Sequence, residues 1–130
     1  MSHESLIVKP EEVTEIKHHD VEKMKDIGNV FKYLDGSMVE GADLRIMVRK
    51  IESHTENKED YVKPHTHEVD QFYLLVGEPG QLAFEITLGD EKVRVESPCT
   101  VHIPKGLPHC EKYLKGNGHL ITVLTKGTYP

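Results

Sequence analysis

Three histidines occupy the positions in this sequence best suited to chemistry. His65 and His67 stand two apart in His65-Thr66-His67, and His109 closes the segment Pro104-Lys105-Gly106-Leu107-Pro108-His109. In a strand, residues two apart leave the same face, so the first pair would project two imidazoles together. Neutral imidazole is a common ligand for divalent ions, and two on one face make half of a site. The second segment is suited to aiming a side chain. Gly106 can take positive φ, and Pro104 and Pro108 stiffen the backbone around it. A ligand fixed in advance loses less entropy when the ion arrives. Either segment alone is a weak signal. Together, with strands between them, they point to one divalent metal ion on His65, His67 and His109.

Other reactive side chains fit less well. His102 lies on the strand leading to Pro104 and is a weak candidate for a catalytic or substrate-binding role. Glu85 is the other acid-base candidate, but it alternates with Phe84 and is expected to face away. His3, His18 and His19 fall in a charged leading segment and His54 in a polar loop, where solvated histidines are expected. Cys110 directly follows His109, so in a strand it points to the opposite side. The sequence holds no Ser-His-Asp set, phosphate-binding loop or GxGxxG run.

The elements that must position the histidines read as strands. From Asp43 onward, Leu44, Ile46 and Val48 alternate with Arg45, Met47 and Arg49, which places the two sets on opposite faces. Ser53 to Asp60 is polar and reads as a loop. Tyr61 to His67 and Gln71 to Val76 read as strands, followed by a turn at Gly77, Pro79 and Gly80. Leu82, Phe84, Ile86 and Leu88 alternate with Ala83, Glu85 and Thr87, a half-buried strand. Gly89-Asp90 turns it into a hairpin with Val93 and Val95. Cys99 to Ile103, Cys110 to Leu114 and Leu120 to Thr125 complete the set. Many short strands between regular turns predict an all-β antiparallel sandwich or barrel over residues 43–130. Residues 1–42 read as an N-terminal arm with one short helix, and Leu34 to Gly41 as a turn-rich lead into the barrel.

The 130-residue length suits one domain, and the formal net charge of -6 argues against wholesale binding of nucleic acid or an anionic membrane surface. No apolar run is long enough to span a bilayer. The N-terminus lacks the pattern of a signal peptide, so a cytoplasmic location is expected, with Cys99 and Cys110 as reduced thiols. Exposed strand edges on a small barrel favour a homodimer.

The motifs resemble those of the cupin superfamily. Its first motif, HxH followed by an acidic residue and a closing glycine, corresponds to HTHEVDQFYLLVG from His65 to Gly77; the core of its second motif, PxGxxH, is PKGLPH here. The resemblance covers roughly Leu44 to Thr125. It implies a jelly-roll barrel, also called a double-stranded β-helix, with one Fe, Mn, Ni or Zn ion per chain. It also implies a fourth ligand, usually glutamate. Counted from His67 that place falls on Gln71, and counted back from Gly77 it falls on Asp70. Spacing and inward parity favour Gln71, with Asp70 as the alternative. Pro98 and Tyr113 depart from the usual glycine and asparagine, which alters loop details. The superfamily includes isomerases, dioxygenases, decarboxylases and epimerases. A metal-dependent enzyme for a small polar or anionic metabolite, such as a sugar derivative or oxo acid, is therefore expected. The alternative is a non-catalytic metal-dependent binding module or sensor.

Overall fold

The computed structural model describes residues 3–13, 28–52 and 64–125. Among the described residues the chain forms β1 (Glu11–Glu12), β2 (Val30–Leu34), β3 (Arg45–Ile51), β4 (Gln71–Val76), β5 (Leu82–Leu88), β6 (Glu91–Glu96), β7 (Cys99–Ile103), β8 (His109–Gly116) and β9 (Gly118–Leu124). One 3-10 turn at Glu4–Leu6 is the only helical element described. The short helix expected in the arm would fall largely on residues 14–27, outside the described residues.

The strands form two sheets. The larger runs β1-β2-β3-β9-β4-β7 and the smaller β6-β5-β8, with every pairing antiparallel. Their inner faces share one core of Met47, Ile51, Tyr73 and Leu75 from the large sheet and Leu82, Phe84, Ile86 and Tyr113 from the small one. Alternation along each strand produces this arrangement, because every second side chain faces the opposite sheet. On β5 the pattern breaks once. A register shift between Ala83 and Phe84 buries Leu82, Ala83 and Phe84 in succession, and alternation then resumes at Ile86.

The chain crosses from the small sheet to the large one through a single residue, Asn117, between β8 and β9. Gly116 and Gly118 take φ of 95° and 145° to make that crossing. A Cβ on Gly116 would collide with the Gln81 carbonyl oxygen.

Within residues 1–42, β1 and β2 belong to the large sheet, and β2 pairs with β3. On β3 the inward set is Met47, Arg49 and Ile51, so a charged residue belongs to the interior while Ile46 and Val48 face outward, partly exposed. Arg49 is accommodated by placing its guanidinium over the Phe84 ring, 5.6 Å from the centroid.

The turn between β2 and β3 is organised by Asp35. Its Oδ1 accepts hydrogen bonds from the Ser37 hydroxyl (2.6 Å), the Ser37 amide (2.9 Å) and the Met38 amide (3.2 Å). Lys32 Nζ approaches its Oδ2 to 3.0 Å and Arg45 to 3.7 Å. Burial pushes the carboxyl pKa up, but the hydrogen bonds from Ser37 and Lys32 outweigh it and hold the pKa at about 2.

Candidate metal centre

The three histidines converge. His65 and His109 form an antiparallel bridge at the start of β8, with His65 N donating to His109 O at 3.0 Å and His109 N to His65 O at 2.9 Å. This bridge fixes the backbones of two of the three residues against each other. His67 follows two residues later, outside any strand, and its ring turns to the same point. The ring centroids lie 4.8 Å (His65–His67), 4.7 Å (His65–His109) and 5.0 Å (His67–His109) apart, a nearly equilateral triangle. One candidate ligand nitrogen from each ring lies within 4.8 Å of the others. That is on the scale of two metal–nitrogen bonds placed end to end, about 4 Å. All three side chains are buried.

The loop carrying His109 is a tight turn. Leu107 N donates to Pro104 O, and Gly106 takes φ 83°, as the third residue of a type II turn requires. His109 Nδ1 lies 2.8 Å from Leu107 O. A carbonyl oxygen only accepts, so Nδ1 carries the proton and Nε2 keeps the lone pair that a metal needs.

Gln71 opens β4 with the inward parity of Tyr73 and Leu75 and is 2% exposed. Its Oε1 is buried and has no hydrogen-bond partner among the described residues. An amide oxygen left so in the interior is costly unless something else coordinates it. Three neutral nitrogens and one such oxygen fit a divalent transition metal. Asp70 faces the other way. Its side chain is 48% exposed, and its Oδ1 accepts the Lys105 amide at 2.9 Å.

His102 is not brought to the triad. Its side chain is 52% exposed on the outer face of β7, stacked on Phe72 at 4.8 Å and 14°, with Nε2 3.9 Å from Asp70 Oδ1. The physical reason is parity, since Ile103, its neighbour on β7, takes the inward position. Glu85 lies on β5 opposite Arg94 and Lys112, between the inward Phe84 and Ile86. Cys99 and Cys110 are both partly buried and neither is in a disulfide, and burial pushes the Cys99 thiol pKa up.

Interior polar residues beyond the histidine motifs also surround the site. Glu111, two residues after His109, is buried and accepts a hydrogen bond from the Tyr73 hydroxyl at 3.1 Å. The Tyr73 ring lies 6.5 Å from that of His109, edge-on. The signal for Glu111 was available in the sequence, as it shares the period-two parity of His109. Surface depressions of about 330 and 370 Å³ flank Val76 and Gly77, and no triad residue lines either of them.

No family model matches the chain, and no curated protein does. Solved structures do. The fold is similar to oxalate decarboxylase (TM-score 0.62, 14% identity), covering 94% of this chain and 29% of that one. A second set of oxalate decarboxylase coordinates, from Bacillus subtilis and concerned with its Mn(II) centres, gives TM-score 0.60 at 12% identity over the same shares. The chain thus spans about three tenths of the length of these proteins. KdgF from Halomonas sp. matches with TM-score 0.56 and 22% identity over 88% of this chain and 92% of that one. A conserved protein of unknown function from Streptococcus pyogenes matches with TM-score 0.56 and 20% identity over 95% and 98%. The chain has the cupin fold, a jelly roll of antiparallel sheets.

Proposed function

We propose that this protein is a metal-dependent enzyme acting on a small polar or anionic metabolite, a sugar derivative or oxo acid, with the ion held by His65, His67, His109 and Gln71. The observation that carries the proposal is the buried triangle of imidazoles, with ligand nitrogens within 4.8 Å of one another. A bound Fe, Mn, Ni or Zn ion would supply Lewis-acid polarisation of a carbonyl or hydroxyl oxygen, and iron would add redox chemistry.

The chain's own residues set the character of the site. The His109 ring is held in one tautomer by Leu107 O, which directs Nε2 to the centre. Gln71 brings an oxygen without a charge, so all four donors are neutral and the ion keeps its full positive charge. That favours an anionic group on the substrate, such as a carboxylate or enolate. The oxalate decarboxylases that share the fold act, by their name, on a small dianion, which agrees with this direction. The Tyr73–Glu111 pair gives the interior beside His109 a hydrogen-bonding wall suited to substrate hydroxyls.

The test is elemental analysis of untagged protein, followed by aerobic and anaerobic turnover assays of the metal-loaded form with a panel of sugar derivatives and oxo acids. Product formation that stops on chelation supports the proposal. Tight ligand binding without product would make the protein a binding module instead. We further propose a homodimer, since β7 and β6 end their sheets among the described residues and leave edges for a second copy. Mass measurement in solution tests the pairing.

A further inference from the structure

The turn that carries His109 is fastened to the segment that carries His67, and one fastening is a side chain. Of the two central amides of the Pro104–Leu107 turn, Gly106 N donates to His67 O at 2.9 Å. The other, Lys105 N, donates to Asp70 Oδ1 at 2.9 Å. Asp70 is itself anchored, because its carbonyl oxygen accepts Thr125 N at 3.2 Å at the end of β9. Its Oδ1 also lies 3.9 Å from His102 Nε2, on a ring stacked against Phe72. The carboxylate therefore stands at the junction of three pieces of chain, half-exposed and on the outside of the barrel.

We infer that Asp70 is a positioning residue, a clasp that holds the His109 turn against the His67 segment and so keeps the imidazoles converged before an ion arrives. Its geometry stands on hydrogen bonds alone; its consequence for metal rests on the metal-site reading above. A carboxylate accepting a backbone N–H is a strong form of this bond. Partners that orient ligands indirectly affect metal affinity by about 10- to 100-fold, and the lower end applies to a bond this exposed.

The experiment compares Asp70→Ala and Asp70→Asn with the unaltered protein by amide hydrogen exchange and by Co(II) titration. Asparagine keeps an oxygen acceptor for Lys105 N. In Asp70→Ala the Lys105 amide exchanges about tenfold faster, while amides between β5 and β8 stay protected, which shows that the barrel is folded. Co(II) binding weakens about tenfold, with its visible absorption bands unmoved because no ligand has changed. Asp70→Asn restores both to within about threefold. Unchanged Lys105 exchange in Asp70→Ala would overturn the proposal. So would shifted Co(II) bands, which would make Asp70 a ligand, or an asparagine variant as impaired as the alanine one. If the unaltered protein binds no Co(II), the metal-site reading fails, and the exchange result alone decides whether the clasp exists.

Discussion

The two ends of the barrel interior are built by the same rule and do different things. At one end the inward positions are His109 on β8 and Gln71 on β4, with His65 and His67 beside them. Four and more residues further along the same strands the inward positions are Tyr113 and Leu75, packed with Phe84, Leu82 and Leu120. Midway stand Glu111 and Tyr73, hydrogen-bonded to each other. Alternation alone decides which side chains are inside. Depth along the strand decides whether they pack or are available to a ligand. The apolar end is locked by a one-residue crossing between glycines, and the polar end by turns fastened through backbone and carboxylate hydrogen bonds.

If the ends are separable, mutations should divide cleanly between stability and metal. The largest effect is expected from Phe84→Ala at the apolar end. It removes a fully buried ring that contacts Tyr113 edge-on at 5.8 Å and supports the Arg49 guanidinium. Denaturant unfolding should show a loss of about 3–5 kcal/mol, with any metal stoichiometry unchanged in the protein that remains folded. Loss of the ion from that folded fraction would break the comparison.

Next is Gly116→Ala. The new methyl would meet the Gln81 carbonyl at a residue with φ 95°, and a destabilisation of about 1–3 kcal/mol is expected by thermal unfolding, again without altered metal content. His67→Ala is the mirror experiment. It should change the unfolding free energy of metal-free protein by about 1 kcal/mol or less, because the apolar core does not depend on it. It should also abolish the rise in melting temperature that Co(II) gives the unaltered protein.

The smallest effect lies in the turn between β2 and β3. The pKa of Asp35 is lowered from 3.8 to about 2 in the fold, so its stabilising contribution is complete above about 3.8 and lost as pH falls towards 2. Asp35→Asn should flatten that part of the acid-unfolding profile and leave the region above pH 5 parallel to that of the unaltered protein. A profile that still falls between pH 4 and 2 to the same extent would assign the acid sensitivity elsewhere.

Much of this was legible because one periodicity governs the whole molecule. β4, β5 and β7 follow from alternation and turn residues, and the histidine triad from spacing and order. Polar inward residues hid one strand, β2, and left the inward face of another, β3, open. In β2 the inward side includes Lys32, which pairs with Asp35 and disguises a strand as part of a charged arm. β3 was legible as an alternating strand, but alternation alone did not say that the face carrying Arg49 is the buried one. His102, a weak candidate by residue type, lies on the outer face because its neighbour Ile103 takes the interior position. The choice between Asp70 and Gln71 sharpens for the same reason, since only Gln71 shares the inward side with Tyr73 and Leu75.

Calorimetric titration of metal-free protein with Co(II) or Zn(II), repeated on His109→Ala, tests the centre most directly. The expected result is one ion bound per chain by the unaltered protein and no saturable binding by the variant. Equal binding by both, or none by either, would contradict it.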